Sequence, residues 1–343
     1  MLSKSAANVI LAKVRAMYGR RISTKNYEDL VSYNSVSEIA GYLKNSTGYS
    51  LILSNINERD IHRGKLESLI RTKLFLDLES LGRYEISTGD SFAQYITVRT
   101  EIDEIIHSLM YILSGKPKDY IYSLPMFFER RTKINLLKLA EAKDYDDFLE
   151  VLKGSPYYKL LVPFNPNGNE MVNMSAVEET LYNYLYKTFF EAIDKSASKR
   201  VKNELENLVK IYIDYNNFVR IVRLKRNKNK ANFAVIKNGS LKDKYINAML
   251  LAKDEDEVFE IMRKTNPGKK MEKVNYNYID ELPVKVLYQG CRKRIRYSDY
   301  PSVVMMSYIF LVQIEISNLV TIIEGVRYGM PKDDIKNLLI LKN

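Results

Sequence analysis

The sequence predicts an all-α protein built from repeated helical units. Glycine and proline are scarce, with 14 glycines and 9 prolines among 343 residues, about half of their usual combined share of ~12%. All-β folds need these residues in their many turns, so the scarcity favours long helices. The pattern G-x-P-K-D-x-I also occurs twice, at 115–121 and 329–335. A duplication of this length indicates that the chain repeats one unit.

The sequence of the first part of each unit predicts a short amphipathic helix. A serine or an acid is expected to cap the helix N-terminus or to complement its dipole, and two apolar residues four positions apart share one face. The three copies are Ser37 with Ile39 and Leu43, Asp146 with Phe148 and Leu152, and Asp256 with Val258 and Met262. The second and third copies also match upstream, as Ala-Lys-Asp at 142–144 and 252–254.

The sequence of the later part of each unit predicts a longer helix with two polar residues one turn apart, called here a polar pair. The pairs are Glu101 with Glu104, Asp214 with Asn217, and Glu315 with Asn318. Such residues inside an apolar helix typically join neighbouring helices through buried hydrogen bonds. We therefore interpret this motif as structural.

A glycine and a proline follow the long helix in two of the units. Gly115 and Gly329 can take the left-handed conformation that ends a helix, and Pro117 and Pro331 suit the first position of the next one. The middle unit has Lys-Asn-Lys-Ala-Asn at 228–232 instead, which predicts a different, more basic loop. These boundaries predict three helical repeats, at 1–125, 126–240 and 241–343.

The longest apolar stretch without a charge runs from Tyr300 to Ile314. It is shorter than the ~18–20 residues that span a bilayer, and it follows a cap at Ser298-Asp299. We expect a buried core helix from about residue 299 to about residue 326. The N-terminal residues carry too many cations for a signal peptide. A soluble chain without a transmembrane span is therefore expected.

No pattern in the sequence indicates catalysis or a bound cofactor. Cys291 is the only cysteine, and the two histidines, His62 and His107, lack the spacing of a metal site. The segment around Lys116 resembles a phosphate-binding loop only superficially, because Met110 and Pro117 replace residues that the loop requires. We expect no metal, no cofactor and no enzymatic activity.

The chain is basic, with a net charge of +11. A basic chain suits an acidic partner, nucleic acid or an anionic membrane surface, although nucleotide bias alone can produce such a composition. Two basic clusters stand out, at 223–230 and 292–296. Because 42 acids accompany the 53 basic residues and recur in every unit, a nucleic-acid-binding protein is the less favoured alternative.

Aligned in this way, the chain resembles the C subunits of V/A-type rotary ATPases, whose counterpart in the eukaryotic vacuolar enzyme is the d subunit. The segment 315–331, EISNLVTIIEGVRYGMP, looks like the C-terminal signature of that family. The segment 12–17, AKVRAM, and the stretch from Asp214-x-x-Asn217 to Arg223-x-Lys225 support the resemblance.

The resemblance implies three similar helical domains in a pseudo-threefold, funnel-like arrangement. It implies a non-catalytic rotor adaptor on the cytoplasmic face of the membrane, peripheral to it. Its partners would be the central-stalk subunits and the membrane rotor ring, so that ATP hydrolysis or synthesis is linked to H⁺ or Na⁺ transport. A helical repeat scaffold for another protein complex is the alternative.

Two sets of basic residues are candidates for the partner contacts. Arg220, Arg223 and Lys225 follow the second polar pair, and we expect them to bind the stalk. Arg292, Lys293, Arg294 and Arg296 are expected to face the ring or lipid headgroups, where each cation adds about 1 kcal/mol. For both sets the alternative is an ordinary solvated helix surface.

Overall fold

The structure is a computed structural model and describes residues 4–82, 86–125, 128–166, 171–227 and 235–341. Every regular element in those ranges is a helix, which confirms the predicted all-α class. The α-helices are α1 (Lys4–Gly19), α2 (Thr24–Ser32), α3 (Val36–Ser46), α4 (Arg63–Gly82), α5 (Ile86–Leu113), α6 (Leu136–Glu141), α7 (Tyr145–Leu152), α8 (Pro156–Leu161), α9 (Met174–Ser196), α10 (Lys199–Asn227), α11 (Asp243–Leu251), α12 (Glu255–Arg263), α13 (Asn266–Met271), α14 (Leu282–Tyr297), α15 (Pro301–Arg327) and α16 (Lys332–Leu338). Short 3₁₀ helices lie at Glu58–Asp60, Pro117–Ser123, Val162–Phe164 and Ile279–Glu281.

The chain forms two compact units. The first contains Met1–Asp90, Ala197–Asn227 and Gly239–Asn343, and the second contains Ser91–Ser196 and Lys228–Asn238. The division into three repeats at 1–125, 126–240 and 241–343 stays a prediction. The basic loop predicted at 228–232 lies outside the described residues.

Helix α15 forms the centre of the first unit. It packs against α14, α4 and α1, and α14 also packs against α10. Nineteen of its residues are buried, among them every residue from Ser302 to Val312. Because this helix is apolar on all sides, it needs neighbours around its whole circumference, and the surrounding helices supply them.

Helix α15 is also the one helix in the described ranges that is long and apolar enough to cross a membrane. However, 83% of its most apolar 18-residue window is buried within the protein. The predicted core helix is therefore confirmed, but the length argument used to predict it was wrong. Glu315 does not end the apolar segment, because it is itself fully buried and the helix continues to Arg327.

The second unit contains α6 to α9 and the residues of α5 from Ser91 onward. Helix α7 packs on α8, α8 packs on α9, and α6 packs on the 3₁₀ helix Pro117–Ser123. Aromatic side chains fill much of this core. For example, the rings of Tyr95 and Phe189 meet edge to face, with 5.1 Å between their centroids, an arrangement that adds to the energy of area burial.

The three predicted short helices, α3, α7 and α12, begin with the same capping arrangement. The side chains of Ser35, Asp144 and Asp254 accept a hydrogen bond from the backbone N–H three residues later, at 3.2, 2.9 and 2.9 Å. In return, the carboxylates of Glu38, Asp147 and Glu257 accept from the backbone N–H groups of Asn34, Lys143 and Lys253. These reciprocal bonds satisfy N–H groups that a helix start leaves unpaired.

The caps lie two residues before the positions expected from the sequence. Asp146 and Asp256 instead occupy the first turn, where they complement the helix dipole. The hydroxyl of Ser37 donates to the carbonyl of Glu58. The predicted apolar pairs lie on the buried face as expected, and all six residues are fully buried: Ile39, Leu43, Phe148, Leu152, Val258 and Met262.

The two Gly-x-Pro segments end their helices in the same way. Gly115 and Gly329 have φ angles of +72° and +67°, and the following N–H groups, of Lys116 and Met330, bond back five residues at 3.0 and 2.8 Å. This is the Schellman arrangement, which satisfies the last free carbonyls of a helix. Pro117 begins a 3₁₀ helix rather than an α-helix.

The second proline differs from its predicted position by one residue. Pro331 is the N-cap residue of α16 and does not occupy the first helical position. Asp119 and Asp333 lie in the first turn of the helices that follow, where their negative charge complements the helix dipole.

Candidate functional site

The most prominent polar group of the first unit surrounds Glu315. This fully buried carboxylate accepts a hydrogen bond from Arg21 Nε at 2.9 Å and another from the backbone N–H of Ile22 at 3.1 Å. The hydroxyl of Tyr49 donates to its other oxygen at 3.0 Å. Arg21 also donates to the carbonyl of Leu311 at 2.7 Å. The carboxylate thus joins α15 to residues 21–49 near the start of the chain.

Burial and the nearby carboxylate raise the pKa of the Tyr49 hydroxyl well above its ordinary value of 10. The hydroxyl therefore remains protonated and donates its hydrogen bond throughout the physiological pH range.

Asn318 joins α15 to the C-terminal segment. Its amide group donates to the carbonyl of Ile340 and accepts from the N–H of the same residue, both at 2.9 Å. A side-chain amide offers one donor and one acceptor in the geometry that a backbone presents. The Asn318 side chain therefore pairs with the backbone of Ile340 and fixes the C-terminal segment against α15.

The corresponding acids of the second unit have similar roles. Glu101 accepts hydrogen bonds from the hydroxyls of Thr132 at 2.7 Å and Tyr157 at 2.6 Å. Glu104 accepts from the hydroxyl of Tyr120 at 2.8 Å. Tyr49 follows α3 and Tyr157 begins α8 after α7, so in both cases a tyrosine beyond a short helix donates to an acid on a long helix.

The third acid, Asp214, uses a different set of donors. It accepts from the N–H groups of Ser240 at 2.9 Å and Leu241 at 3.0 Å and from the hydroxyl of Ser240. Burial raises the pKa of this carboxyl above its ordinary value of 3.8, although the hydrogen bonds act in the opposite direction. Asn217, one turn later, is buried as well.

A glycine replaces the tyrosine in this third arrangement. Gly268 follows α12, and a Cβ placed on it would lie 1.8 Å from the carbonyl oxygen of Met262. The direction of the hydrogen bond is also reversed, since the hydroxyl of Tyr215 on α10 donates to the carbonyl of Pro267 at 2.6 Å. The long helix and the segment after the short helix are therefore joined here too, but by different atoms than around Glu315 and Glu101.

The first basic set, Arg220, Arg223 and Lys225, lies near the end of α10. Arg220 is half-buried. Arg223 is 57% exposed and forms an ion pair with Asp280 at 2.7 Å. The ammonium group of Lys225 donates to the carbonyl of Leu250 at 2.7 Å. Lys225 thus satisfies the end of α11, and Arg223 is the most accessible cation of the three.

The second basic set is distributed around α14 and does not form one surface. Arg292 lies over the ring of Tyr288, 5.4 Å from its centroid, and Arg294 is directed towards Glu204 on α10. Lys293 and Arg296 are exposed. The buried face of the helix, with Cys291 and Ile295, separates Arg292 from Arg294. Sequence proximity therefore predicted a common surface that the helical geometry does not provide.

Several functional groups of these clusters were not predicted from the sequence. Arg21 carries no signal beyond its charge near the N-terminus, and Tyr49 and Tyr157 show only similar positions in their repeats. The capping aspartates and Tyr215 belong to repeated motifs, but nothing in those motifs indicates their hydrogen-bond partners. In the described part of the chain, no group of three or more His, Cys, Asp or Glu residues is arranged to hold a metal ion.

The chain matches a known protein family over most of its length. The sequence profile described as ATP synthase (C/AC39) subunit matches residues 10–338, which include every buried acid described above. The chain belongs to this family. The family comprises subunits of A- and V-type ATPases, so the resemblance stated from the sequence is confirmed.

Similar members of the family are known from archaea. The C subunit of the A-type ATP synthase of Methanosarcina mazei is 26% identical over 230 residues, which cover 65% of this chain and 60% of the relative. Its counterpart from Thermococcus kodakarensis is 24% identical over 217 residues, covering 62% of this chain and 55% of the relative. The similarity therefore extends over little more than half the length of these relatives.

Proposed function

We propose that the protein is a non-catalytic rotor adaptor of a V/A-type ATPase. It would connect the central stalk to the membrane rotor ring and so link ATP hydrolysis or synthesis to H⁺ or Na⁺ transport. The observation that carries this proposal is the family match over residues 10–338. The relatives named as C subunits of A-type ATP synthases support it.

The polar anchors of the long helices favour a mechanical role. Glu315, Glu101 and Asp214 are buried, and each accepts at least two hydrogen bonds from residues outside its own helix. Fully satisfied buried polar groups specify one packing arrangement, because any sliding of the helices would leave them unpaired. A subunit that transmits torque requires such resistance to internal rearrangement.

The pseudo-threefold, funnel-like arrangement of three domains belongs to the same proposal. Its support is the repetition of local structure, namely the reciprocal caps of α3, α7 and α12 and the three long helices with a buried acid. We also propose that the protein lies on the cytoplasmic side, peripheral to the membrane.

For the stalk contact we propose the end of α10, with Arg220, Arg223 and Lys225. Arg223 is the strongest candidate because it is exposed and its ion pair with Asp280 is open to solvent on both sides. For the ring or lipid contact, exposure favours Lys293 and Arg296 over Arg292 and Arg294. Each exposed cation near an anionic surface contributes about 1 kcal/mol.

The proposal as a whole is tested by purification from native cells. Full-length protein with an affinity tag should bring down both the stalk subunits and the ring subunit in detergent. Recovery of neither would reject the rotary assignment, and an unrelated complex in their place would support a helical scaffold.

The stalk contact is tested by exchanging the charges of one ion pair. Arg223→Glu should weaken binding to purified stalk subunits roughly tenfold, because an opposite charge then faces the partner. The double variant Arg223→Glu with Asp280→Arg restores an internal ion pair, so its binding separates partner recognition from folding. Arg263→Glu is the matched control, because Arg263 is 51% exposed and forms a similar ion pair with Glu260. Unchanged binding by the double variant would refute the assignment of Arg223.

A further inference from the structure

A cavity of about 630 Å³ lies in the first unit, between α10, α14, α13 and the segment that follows α13. Its volume falls in the range of ~300–1,000 Å³ that is typical of small-molecule sites. Of its lining residues, the proposed ring or lipid contact uses Lys293 and, less favourably, Arg294. Apolar side chains from three elements form part of its wall: Leu208, Ile211, Val274 and Val286.

Cations dominate the charged residues that line the cavity. Lys270, Lys293 and Arg294 contribute three positive charges, and Glu204 contributes the one negative charge of the lining. Neither lysine forms an ion pair within the ranges that the structure describes. The cavity therefore combines an apolar wall with an excess of positive charge.

Arg294 is incompletely compensated in this environment. Its two terminal nitrogens donate to the neutral carbonyls of Gly290 and Glu204, both at 3.2 Å. Its Nε lies 3.7 Å from the Glu204 carboxylate, is shielded from solvent and has no hydrogen-bond partner. Burial lowers the pKa of this guanidinium. The side chain is 19% exposed, and a cation that is largely shielded from water, with its counter-charge 3.7 Å away, gains from a further anion nearby.

We propose that this cavity binds a small organic anion. Its phosphate or carboxylate groups contact Lys270, Lys293 and Arg294, and its apolar part packs on Leu208, Val274 and Val286. Charge-assisted hydrogen bonds from a guanidinium and two ammonium groups are strong and suit such oxyanions. The apolar wall explains why a bare inorganic anion would use only part of the site.

Calorimetric titration of the full-length protein at low ionic strength tests this proposal. The probes are ADP, which has an aromatic base and two phosphates, inorganic pyrophosphate, which has only the phosphates, and adenosine, which has no charge. We expect ADP to bind most tightly, pyrophosphate more weakly and adenosine not measurably.

The site is located by two charge-removing variants and their neighbours. Combined Lys270→Gln and Lys293→Gln should weaken ADP binding by at least about tenfold, equivalent to ~1.4 kcal/mol. The control combines Lys269→Gln and Arg296→Gln, which removes the same net charge from exposed positions of the same segments that do not line the cavity. This control should bind ADP within about twofold of the unmodified protein.

A third variant tests the cavity without changing any charge. Val286→Trp fills part of the space and should also weaken ADP binding, while thermal unfolding verifies that the variant is folded. Absence of saturable ADP binding, or equal losses in the double variant and its control, would overturn the proposal. Equal affinity for ADP and pyrophosphate would overturn the role of the apolar wall.

Discussion

Neutralising Glu315 tests whether the buried ion pair stabilises the first unit. In Glu315→Gln, the amide oxygen can still accept from Arg21 Nε and the Ile22 N–H, and the amide nitrogen can donate to the Tyr49 hydroxyl. The three partners therefore stay in contact, with the Tyr49 hydroxyl changed from donor to acceptor, but the charge opposite Arg21 is lost. The Arg21 side chain is only 10% exposed, so the solvent cannot replace the missing carboxylate.

The expected cost follows from the difference between a broken and a removed ion pair. Leaving one charge of a buried pair uncompensated typically costs 3–5 kcal/mol, and the low end suits a guanidinium with slight exposure, so we expect ~3 kcal/mol. The double variant Arg21→Met with Glu315→Gln contains no unpaired charge. Its destabilisation should be smaller than the sum of the single variants by about 2 kcal/mol.

Asp214→Asn provides the matched control. Asp214 is also a buried acid on a long helix, but its partners are two N–H groups and a hydroxyl, and no ion pair to it is found within the described ranges. Removing this charge exposes no counter-charge and relieves the desolvation that raises the pKa of the group. We expect a change below about 1 kcal/mol.

The assay uses the single cysteine of the chain. Cys291 is fully buried on α14, which packs on α15, so iodoacetamide reaches it only when this part of the unit opens. When reclosing outpaces alkylation, the rate is proportional to the opening equilibrium, and ~3 kcal/mol corresponds to a roughly 150-fold increase. The reasoning is refuted if Glu315→Gln accelerates alkylation no more than Asp214→Asn does, or if the Arg21 and Glu315 effects are additive.

Further predictions concern single positions. Gly268→Ala should destabilise the protein by more than ~3 kcal/mol, because its Cβ would overlap the Met262 carbonyl. Gly329→Ala places no atom near its new Cβ and should cost only the ~1–2 kcal/mol of a left-handed residue. Thermal unfolding of the two variants compares these costs. Asp144→Ala and Asp254→Ala should each cost about 1 kcal/mol as lost caps, measured by urea unfolding, with Asp256→Ala as the milder first-turn comparison. In the native protein, burial raises the pKa of the Cys291 thiol to about 12, so its thiolate fraction at neutral pH should be roughly a thousandfold below that of a free cysteine; alkylation as rapid as in urea would contradict this. Because the pKa of Asp214 is raised, the folded state binds its proton more tightly than the unfolded state does. The stability from this group is present below the unfolded pKa and declines as pH rises through the folded pKa. As pH rises above the ordinary value of 3.8, the urea midpoint of the parent should therefore fall relative to that of Asp214→Asn.

Local features of this fold were predictable because they depend on residues close together in the chain. The buried pairs Ile39 with Leu43 and Val258 with Met262 follow from a four-residue spacing, which any helix places on one face. The left-handed Gly115 and Gly329 follow from the conformational freedom of glycine. The cap positions were displaced by two residues because serine and acid occur at several neighbouring positions, and only the backbone conformation selects among them.

The basic candidates show where sequence reasoning reaches its limit. Lys225 and Arg226 are adjacent basic residues that the sequence does not distinguish, but Lys225 donates to the carbonyl of Leu250 and Arg226 forms an ion pair with Glu255. Four of the five residues from Arg292 to Arg296 are basic, and the 100° rotation per residue of a helix separates their side chains in space. The cavity beside Arg294 could not be predicted, because its wall combines residues from helices that are distant in the chain.

The all-α class, the family, the repeated helical motifs and the glycines that end two helices could be inferred from the order of the residues. They follow from spacing, capping chemistry and motif order, which act over a few residues or are compared directly with relatives. Only the tertiary structure shows which segments of the chain each buried acid connects. Glu315 accepts its hydrogen bonds from residues 21–49, at the opposite end of the chain, because packing α15 in the core brings these segments together. The apolar surroundings of this acid in the sequence indicated that it needs partners, and long-range packing selected Arg21 and Tyr49 for that role.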